Sequence, residues 1–301
     1  MKHLLSVESL TRDEILSILE LADRLKATRG AVADQPLRGQ CWGLVFSKSS
    51  TRTRVSFEVG IRELGGDAMF LSAVDIQLGR GEPIRDTARV MGRMLGGAVI
   101  RTFAQSDVDE FAQYSGIPTI NALTDAEHPC QILADLQTIR ERRGSLDDLT
   151  VAFIGDGACN VPISWIWAAA RLGFNLRIAA PKEFQPAPEL IARTGSSQIT
   201  VTDSVAEAAT GADVLYTDVW VSMGKEDEAA WRLKTLADYC IDHEAVRAAR
   251  PGALVMHCLP AYRGKEITEE VFEANAQTIF DQAENRLHAQ KAVLTLLVRG
   301  E

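Results

Sequence analysis

The sequence predicts an α/β protein of two doubly wound parallel-sheet domains, and three observations carry that expectation. Short apolar runs of strand length alternate with segments of helical period from residue 41 almost to the end. The alternation pauses once, at the polar turn Gly144-Ser145-Leu146-Asp147-Asp148, which divides the chain into 1–144 and 145–282. Polar residues gather just past the predicted strand ends, at Ser50, Arg101, His128, Asn160, Asp218 and Cys258. Open α/β sheets bind ligands at that edge, and two such edges facing one another make a cleft in which an active site is expected.

Each element has its own local reason. Thr11 and Glu14 form a capping box for a helix carrying Ile15, Ile18, Leu19, Ala22 and Leu25, stopped near Gly30. The apolar run 41–46 is a buried strand, and the helical pattern Val55, Phe57, Val59, Ile61, Leu64 ends at Gly65-Gly66. A strand at 67–71 leads into the polar loop Gln77-Leu78-Gly79-Arg80-Gly81-Glu82-Pro83, and Pro83 starts a helix through Ala88, Met91 and Leu95. Strands at 98–102 and 118–121 flank a helix around 108–114, and His128-Pro129-Cys130-Gln131 opens a helix reaching about Arg143. In the second half, strands are expected at 151–154, 176–179, 199–202, 214–217, 253–256 and 278–280, with helices between them. A long helix over 283–298 closes the chain.

Composition excludes several classes. A formal charge of −9 and a pI near 5.2 argue against a nucleic-acid partner. The five cysteines are scattered, odd in number and without a C-x-x-C pair, which fits a reduced, cytoplasmic chain better than a disulfide framework or a zinc site. The first residues lack a signal-peptide core, and no apolar run has membrane-spanning length, so a soluble protein is expected.

The stretch Ser50-Thr51-Arg52-Thr53-Arg54 places hydroxyls and two arginines at a helix start, where unpaired N–H groups and the macrodipole attract dianions. Arg52 and Arg54 lie about 200° apart around the helix, so one faces the anion and the other turns away. Arg52 is assigned to the anion, and Arg54 to Glu58 one turn on. An ordinary capped helix is the alternative. Arg101 closes an apolar strand, where a charge is poorly placed for the core. His128 either caps the Gln131 helix or polarises a carbonyl beside a phosphate pocket. Gly155-Asp156-Gly157 lacks the third glycine of a dinucleotide fingerprint. The carboxylate of Asp218 in Asp218-Val219-Trp220-Val221-Ser222-Met223-Gly224 either holds an ammonium or caps a turn. Cys258 taken alone is more simply packing.

Together these segments resemble the transcarbamoylases, and among them the ornithine-using branch. Ser50-Thr51-Arg52-Thr53-Arg54 and His128-Pro129-Cys130-Gln131 are similar to the motifs of carbamoyl-phosphate users in general. Ser222-Met223-Gly224 and His257-Cys258-Leu259-Pro260 resemble those that point to ornithine. The likeness extends to Gln77-Leu78-Gly79, Asp86-Thr87-Ala88-Arg89 and Glu284-Asn285-Arg286-Leu287-His288, and so covers nearly the whole chain. It implies a carbamoyl-phosphate domain at 1–144 completed by a last helix at about 283–301, an ornithine domain at 145–282, and a homotrimer with sites at subunit boundaries. Carbamoyl phosphate would be held by Ser50, Thr51, Arg52, Thr53, Arg101, His128, Gln131 and Arg286, by main chain at Cys258 and Leu259, and by Gln77 of a neighbour. Asn160, Asp218, Ser222 and Met223 would hold L-ornithine, with Arg101, His128, Asp218 and Cys258 catalytic and neither metal nor cofactor required. Carbamoyl phosphate is expected to bind first. The sequence departs from the family's usual pattern at Ser47 and at Cys159-Asn160-Val161-Pro162-Ile163. Alternatives are a transcarbamoylase for acetyl- or succinyl-ornithine, putrescine or aspartate, a nicotinamide oxidoreductase, and a catalytically silent homologue.

Overall fold

The computed structural model describes residues 1–31, 34–72 and 81–300. It divides into two compact units, Met1–Gln137 with Glu284–Glu301, and Thr138–Ala283.

The first unit opens with α1 (Arg12–Ala27), in which Thr11 accepts from the Glu14 amide and the Glu14 carboxylate accepts from the Thr11 amide, the predicted capping box. Four strands follow, β1 (Cys41–Phe46), β2 (Asp67–Ser72), β3 (Gly97–Arg101) and β4 (Thr119–Leu123), all parallel and in the order β2-β1-β3-β4. Between them run α2 (Thr51–Glu63), α3 (Ile84–Met91) and α4 (Gln105–Ser115), and α5 (Pro129–Arg143) follows β4. Apolar strands buried on both faces are what a parallel sheet covered by helices requires. Val45, Ala98 and Ile100 pack with Ala88, Val108 and Phe111 from α3 and α4. The predicted third helix stops at Met91 instead of running through Leu95, because Gly92 ends it.

The second unit carries β5 (Thr150–Ile154), β6 (Asn175–Ala179), β7 (Ile199–Thr202), β8 (Val214–Thr217) and β9 (Leu254–His257), parallel in the order β7-β6-β5-β8-β9. Its helices are α6 (Asn160–Leu172), α7 (Pro188–Thr194), α8 (Val205–Ala209), α9 (Ala229–Thr235), α10 (His243–Ala248) and α11 (Glu269–Ala274). Phe153, Tyr216, Trp165 and Phe174 form its aromatic core. The strand expected at 278–280 is helical: α12 runs Ala276–Arg299. A β-branched and aromatic triplet, Thr278-Ile279-Phe280, reads alike in either state. Here the Ile279 amide donates to the Asn275 carbonyl four residues back, the bond of an α-helix.

The last part of α12 belongs to the first unit and lies along α2. A Cβ on Gly60 would come within 3.2 Å of Lys291 Cγ and 3.4 Å of Leu287 Cδ1, so the helices meet where a side chain is absent. Among the described residues no helix is long and apolar enough to cross a membrane.

Candidate functional site

Both sheets have a switch point, where the chain leaves a central strand on opposite sides, and the chemistry sits there. In the first unit β1 pairs with β2 on one side and β3 on the other. Arg101 is the last residue of β3, and the segments leaving β1 and β4 carry Ser50 and His128. In the second, β5 pairs with β6 and β8, and the segments leaving β5, β8 and β9 carry Asn160, Asp218 and Cys258.

Ser50 is the N-cap of α2, its hydroxyl accepting from the Thr53 amide at 3.2 Å. Thr51 and Arg52 are exposed at the helix start. Arg54 turns away, donating to Glu58 Oε1 at 2.7 Å with its guanidinium over the Phe70 ring, as the spacing predicts. Beneath the helix start lies an unusual collection of buried polar groups: Thr53 is 0% exposed, Arg286 3%, His128 5% and Arg101 7%. Arg286 Nη2 donates to Thr53 Oγ1 at 2.8 Å, joining α12 to the helix start. Gln131 donates its amide to Asp135 Oδ1 at 2.8 Å, leaving its buried Oε1 without a hydrogen-bond partner. Burial, then the Arg286 and Arg101 cations, hold the His128 imidazole well below its usual range. It is therefore a neutral group among positive charges, able to polarise a carbonyl without gaining a proton. Neighbouring Cys130 is pushed up to about 12, chiefly by burial, and stays an inert thiol. Gln77 lies outside the described residues.

The depressed His128 has a consequence for stability. The unfolded chain accepts a proton below about 6.5 and the folded one refuses it. The contribution is therefore present above the ordinary value and lost as pH falls through the depressed one. His128→Gln, which has no such proton to take, should lose less stability on acidification. Urea midpoints on either side of pH 6.5 check this: the gap between wild type and variant should narrow in acid, and a constant gap would contradict the assignment.

Loop order in the second unit comes from a few strong contacts. Cys258 Sγ donates to Asp218 Oδ1 at 2.9 Å, and that oxygen also accepts from the Val219 amide at 2.7 Å. Burial pushes the Asp218 carboxyl upward, while His257, the Cys258 thiol and the Val219 amide pull it back. The fully buried His257 accepts from the Leu259 amide on Nδ1 at 2.8 Å, so its Nε2 carries the proton donated to Glu266 Oε1 at 3.1 Å. Glu266 in turn receives the Tyr262 amide at 2.6 Å. This clamp shapes the turn in which Leu259 has φ +56° and Leu259-Pro260 is cis. Asp218, His257 and Cys258 offer ligand atoms within 4.8 Å of one another. Both ring nitrogens of His257 are engaged, however, and the set fits a metal poorly. Asn160 is the first residue of α6, behind Cys159, and Ser222 and Met223 lie in a partly exposed segment pinned where the Gly224 amide donates to Glu226. The glycine turn is no dinucleotide cradle. A Cβ on Gly157 would meet Ile178 Cγ2 at 2.7 Å, and the Asp156 carboxylate is taken by Arg232.

The sequence did not single out Lys48 or Arg232. Lys48 is buried, ion-paired with Asp125 and seated over the Phe103 ring. Its position directly before the anion motif is the signal that could have found it.

Two family models match, together covering most of the chain. One, described as aspartate/ornithine carbamoyltransferase, carbamoyl-P binding domain, spans residues 2–141, and the other, the Asp/Orn binding domain, spans 147–297. Similar proteins include the ornithine carbamoyltransferase of Akkermansia muciniphila, 58% identical over 99% of this chain and 98% of that one. The crystal structure of the anabolic ornithine carbamoyltransferase of Campylobacter jejuni superposes with a TM-score of 0.94 at 42% identity, covering 100% of both chains. That of the Pyrococcus furiosus enzyme has a TM-score of 0.92 at 41% identity, covering 100% of this chain and 98% of that one.

Proposed function

We infer that this chain, which belongs to the aspartate/ornithine carbamoyltransferase family, transfers the carbamoyl group of carbamoyl phosphate to the side-chain amine of L-ornithine, giving L-citrulline and phosphate. The observation that carries the reading is its similarity to ornithine carbamoyltransferases over the full length of both chains. We take 1–144 with 283–301 as the carbamoyl-phosphate domain and 145–282 as the ornithine domain.

In this reading Ser50, Thr51, Arg52 and Thr53 bind the phosphate at the start of α2, where amides, hydroxyls and a guanidinium converge. Arg286 supports Thr53, and Arg101, His128 and Gln131 address the carbonyl end together with main chain at Cys258 and Leu259. Asn160, Ser222 and Met223 hold the amino-acid end of ornithine, and Asp218 meets its side-chain amine. That amine is mostly protonated in water, with a reference value near that of lysine, roughly 10. It must lose a proton before its nitrogen lone pair attacks the carbonyl carbon. The Asp218–Cys258 pair is suited to hold the amine and pass that proton outward. As the C–N bond forms, negative charge grows on the carbonyl oxygen, which Arg101 and the neutral His128 stabilise. Collapse restores the carbonyl and breaks the C–O bond while the second proton of the attacking nitrogen passes to the departing phosphate, which stays paired with Arg52 and the helix start. No covalent intermediate on the protein is needed. Five free cysteines suit a reduced, cytoplasmic setting.

Turnover of ornithine compared with acetyl-ornithine, succinyl-ornithine, putrescine and aspartate tests the substrate. Ornithine should be strongly preferred, and a higher kcat/KM for any other amine would overturn the assignment. The same reading includes a homotrimer whose sites each take Gln77 from a neighbour. Mixed trimers of Gln77→Ala and Arg101→Ala chains, each inactive alone, should regain part of the activity. Background activity in demonstrated mixed trimers would place each site within one chain.

A further inference from the structure

Arg232 is a charged side chain buried without reaching any residue assigned to substrate. It sits on α9, and its guanidinium ties three separate segments of the second unit. Nη1 donates to Asp156 Oδ2 at 2.7 Å, in the turn after β5, and to the Trp220 carbonyl at 3.3 Å, in the segment after β8. Nε donates to Glu228 Oε2 at 2.8 Å, just beyond that segment, and the guanidinium lies 4.8 Å from the centroid of Phe184. The Arg232 and Asp156 side chains are only 9% and 7% exposed. Asp156 passes the restraint on through its own turn: Oδ1 accepts from the Ala158 amide at 3.1 Å, and its carbonyl accepts from the Cys159 thiol at 3.2 Å. Four residues after Asp156 stands Asn160. Two residues before Trp220 stands Asp218, and two after it Ser222.

We propose that Arg232 is a positioning residue that sets the length of amine substrate by fixing the spacing between the Asn160 turn and the Asp218–Met223 segment. The inference rests on the ornithine reading above. The two segments leave neighbouring strands β5 and β8, and adjacent strands lie about 4.8 Å apart. In that reading Asn160, on the first segment, addresses the amino-acid end of the substrate, and Asp218, where the second segment begins, meets its side-chain amine. The distance between them therefore selects the number of methylenes. Flexible loops alone would hold that distance loosely, whereas a buried planar guanidinium with bonds to both holds it in one geometry. A pocket distinguishes one methylene by roughly 10- to 200-fold, so loosening the tie should erode that margin.

The test compares kcat/KM for ornithine, lysine and 2,4-diaminobutyrate, with carbamoyl phosphate saturating, in wild type, Arg232→Lys and Arg232→Gln. In Arg232→Gln the KM for ornithine should rise about tenfold or more, and the ornithine-to-lysine ratio should fall by about the same factor. The KM for carbamoyl phosphate should stay within about twofold, and Arg232→Lys, which keeps the charge but loses the fork, should fall between. A structural role alone would lower all three amines together and leave the ratio unmoved. An unchanged ratio in a folded Arg232→Gln protein overturns the proposal. If that variant does not fold, Glu228→Ala decides. It removes the partly exposed tie while keeping the buried pair, and should shift the ratio in the same direction to a smaller extent. No shift there overturns the proposal equally. Wild type that makes no ureido product from ornithine fails the underlying reading instead, before any variant is compared.

Discussion

Replacing Arg52 by alanine should weaken carbamoyl-phosphate binding at least tenfold and remove most turnover, with little change in folding. Arg52 is exposed at the first turn of α2, beside the Ser50 cap, and it makes no contact that holds the fold together among those described. Its loss therefore removes charge from the phosphate site without opening the core. A hydrogen bond to a charged group contributes about 1.5–3 kcal/mol, and each 1.4 kcal/mol is about tenfold in affinity. Arg54, two residues on, is the internal control. Its guanidinium is spent on Glu58 and on Phe70, so Arg54→Ala should leave carbamoyl-phosphate affinity within about threefold. Titration of both variants with a non-reacting bisubstrate analogue measures the difference. Equal losses in the two would mean that the helix start, and not one arginine, carries the anion.

Asp218→Asn should lower turnover by about 10²–10⁴, the range for removal of a proton-handling group. The substitution preserves size, so the amide oxygen can still accept from the Val219 amide. The same oxygen can keep the Cys258 thiol, so what is lost is the charge that faces the amine. Because burial already raises the Asp218 carboxyl, its ionised form is lost at a higher pH than for an ordinary aspartate. The wild-type acid limb of kcat/KM for ornithine should therefore lie above the usual carboxylate range, and it should disappear in Asp218→Asn. Turnover within threefold of wild type, or an unaltered acid limb, would take the proton path away from Asp218.

Local chemistry was legible in the sequence where neighbours along the chain make the contact. The Thr11–Glu14 capping box, the Ser50 cap and the Arg54–Glu58 pair all lie within one turn of helix, so spacing alone announces them. Strand–helix alternation likewise reports a parallel sheet, since its central strands β1, β3 and β5 are short apolar runs buried on both faces. Ambiguity enters where a short β-branched and aromatic triplet suits strand and helix alike: Thr278-Ile279-Phe280 has the composition of a strand and forms part of α12. Contacts between distant segments were a different matter. Arg286 meets Thr53 across 233 positions, and Arg232 meets Asp156 across 76. No periodicity encodes such pairs. The resemblance points to Arg286, because its motif is recognisable, whereas Arg232 stands one helical turn after a charged surface-like run, Lys225-Glu226-Asp227-Glu228, that gives no hint of burial. The His257–Glu266 clamp was hidden for a similar reason: the histidine was noticed only as part of a motif, and its partner nine residues on lies beyond a turn.

The central claim is that one carbon passes from carbamoyl phosphate to the side-chain nitrogen of ornithine. It is tested most directly by incubating the purified protein with carbonyl-¹³C carbamoyl phosphate and δ-¹⁵N ornithine and following the carbon signal by NMR. A ureido carbon resonance split by direct coupling to the labelled nitrogen, growing in step with inorganic phosphate and dependent on the enzyme, is the predicted result. Phosphate release without that coupled resonance, or no enzyme-dependent consumption of carbamoyl phosphate in the presence of ornithine, would contradict it.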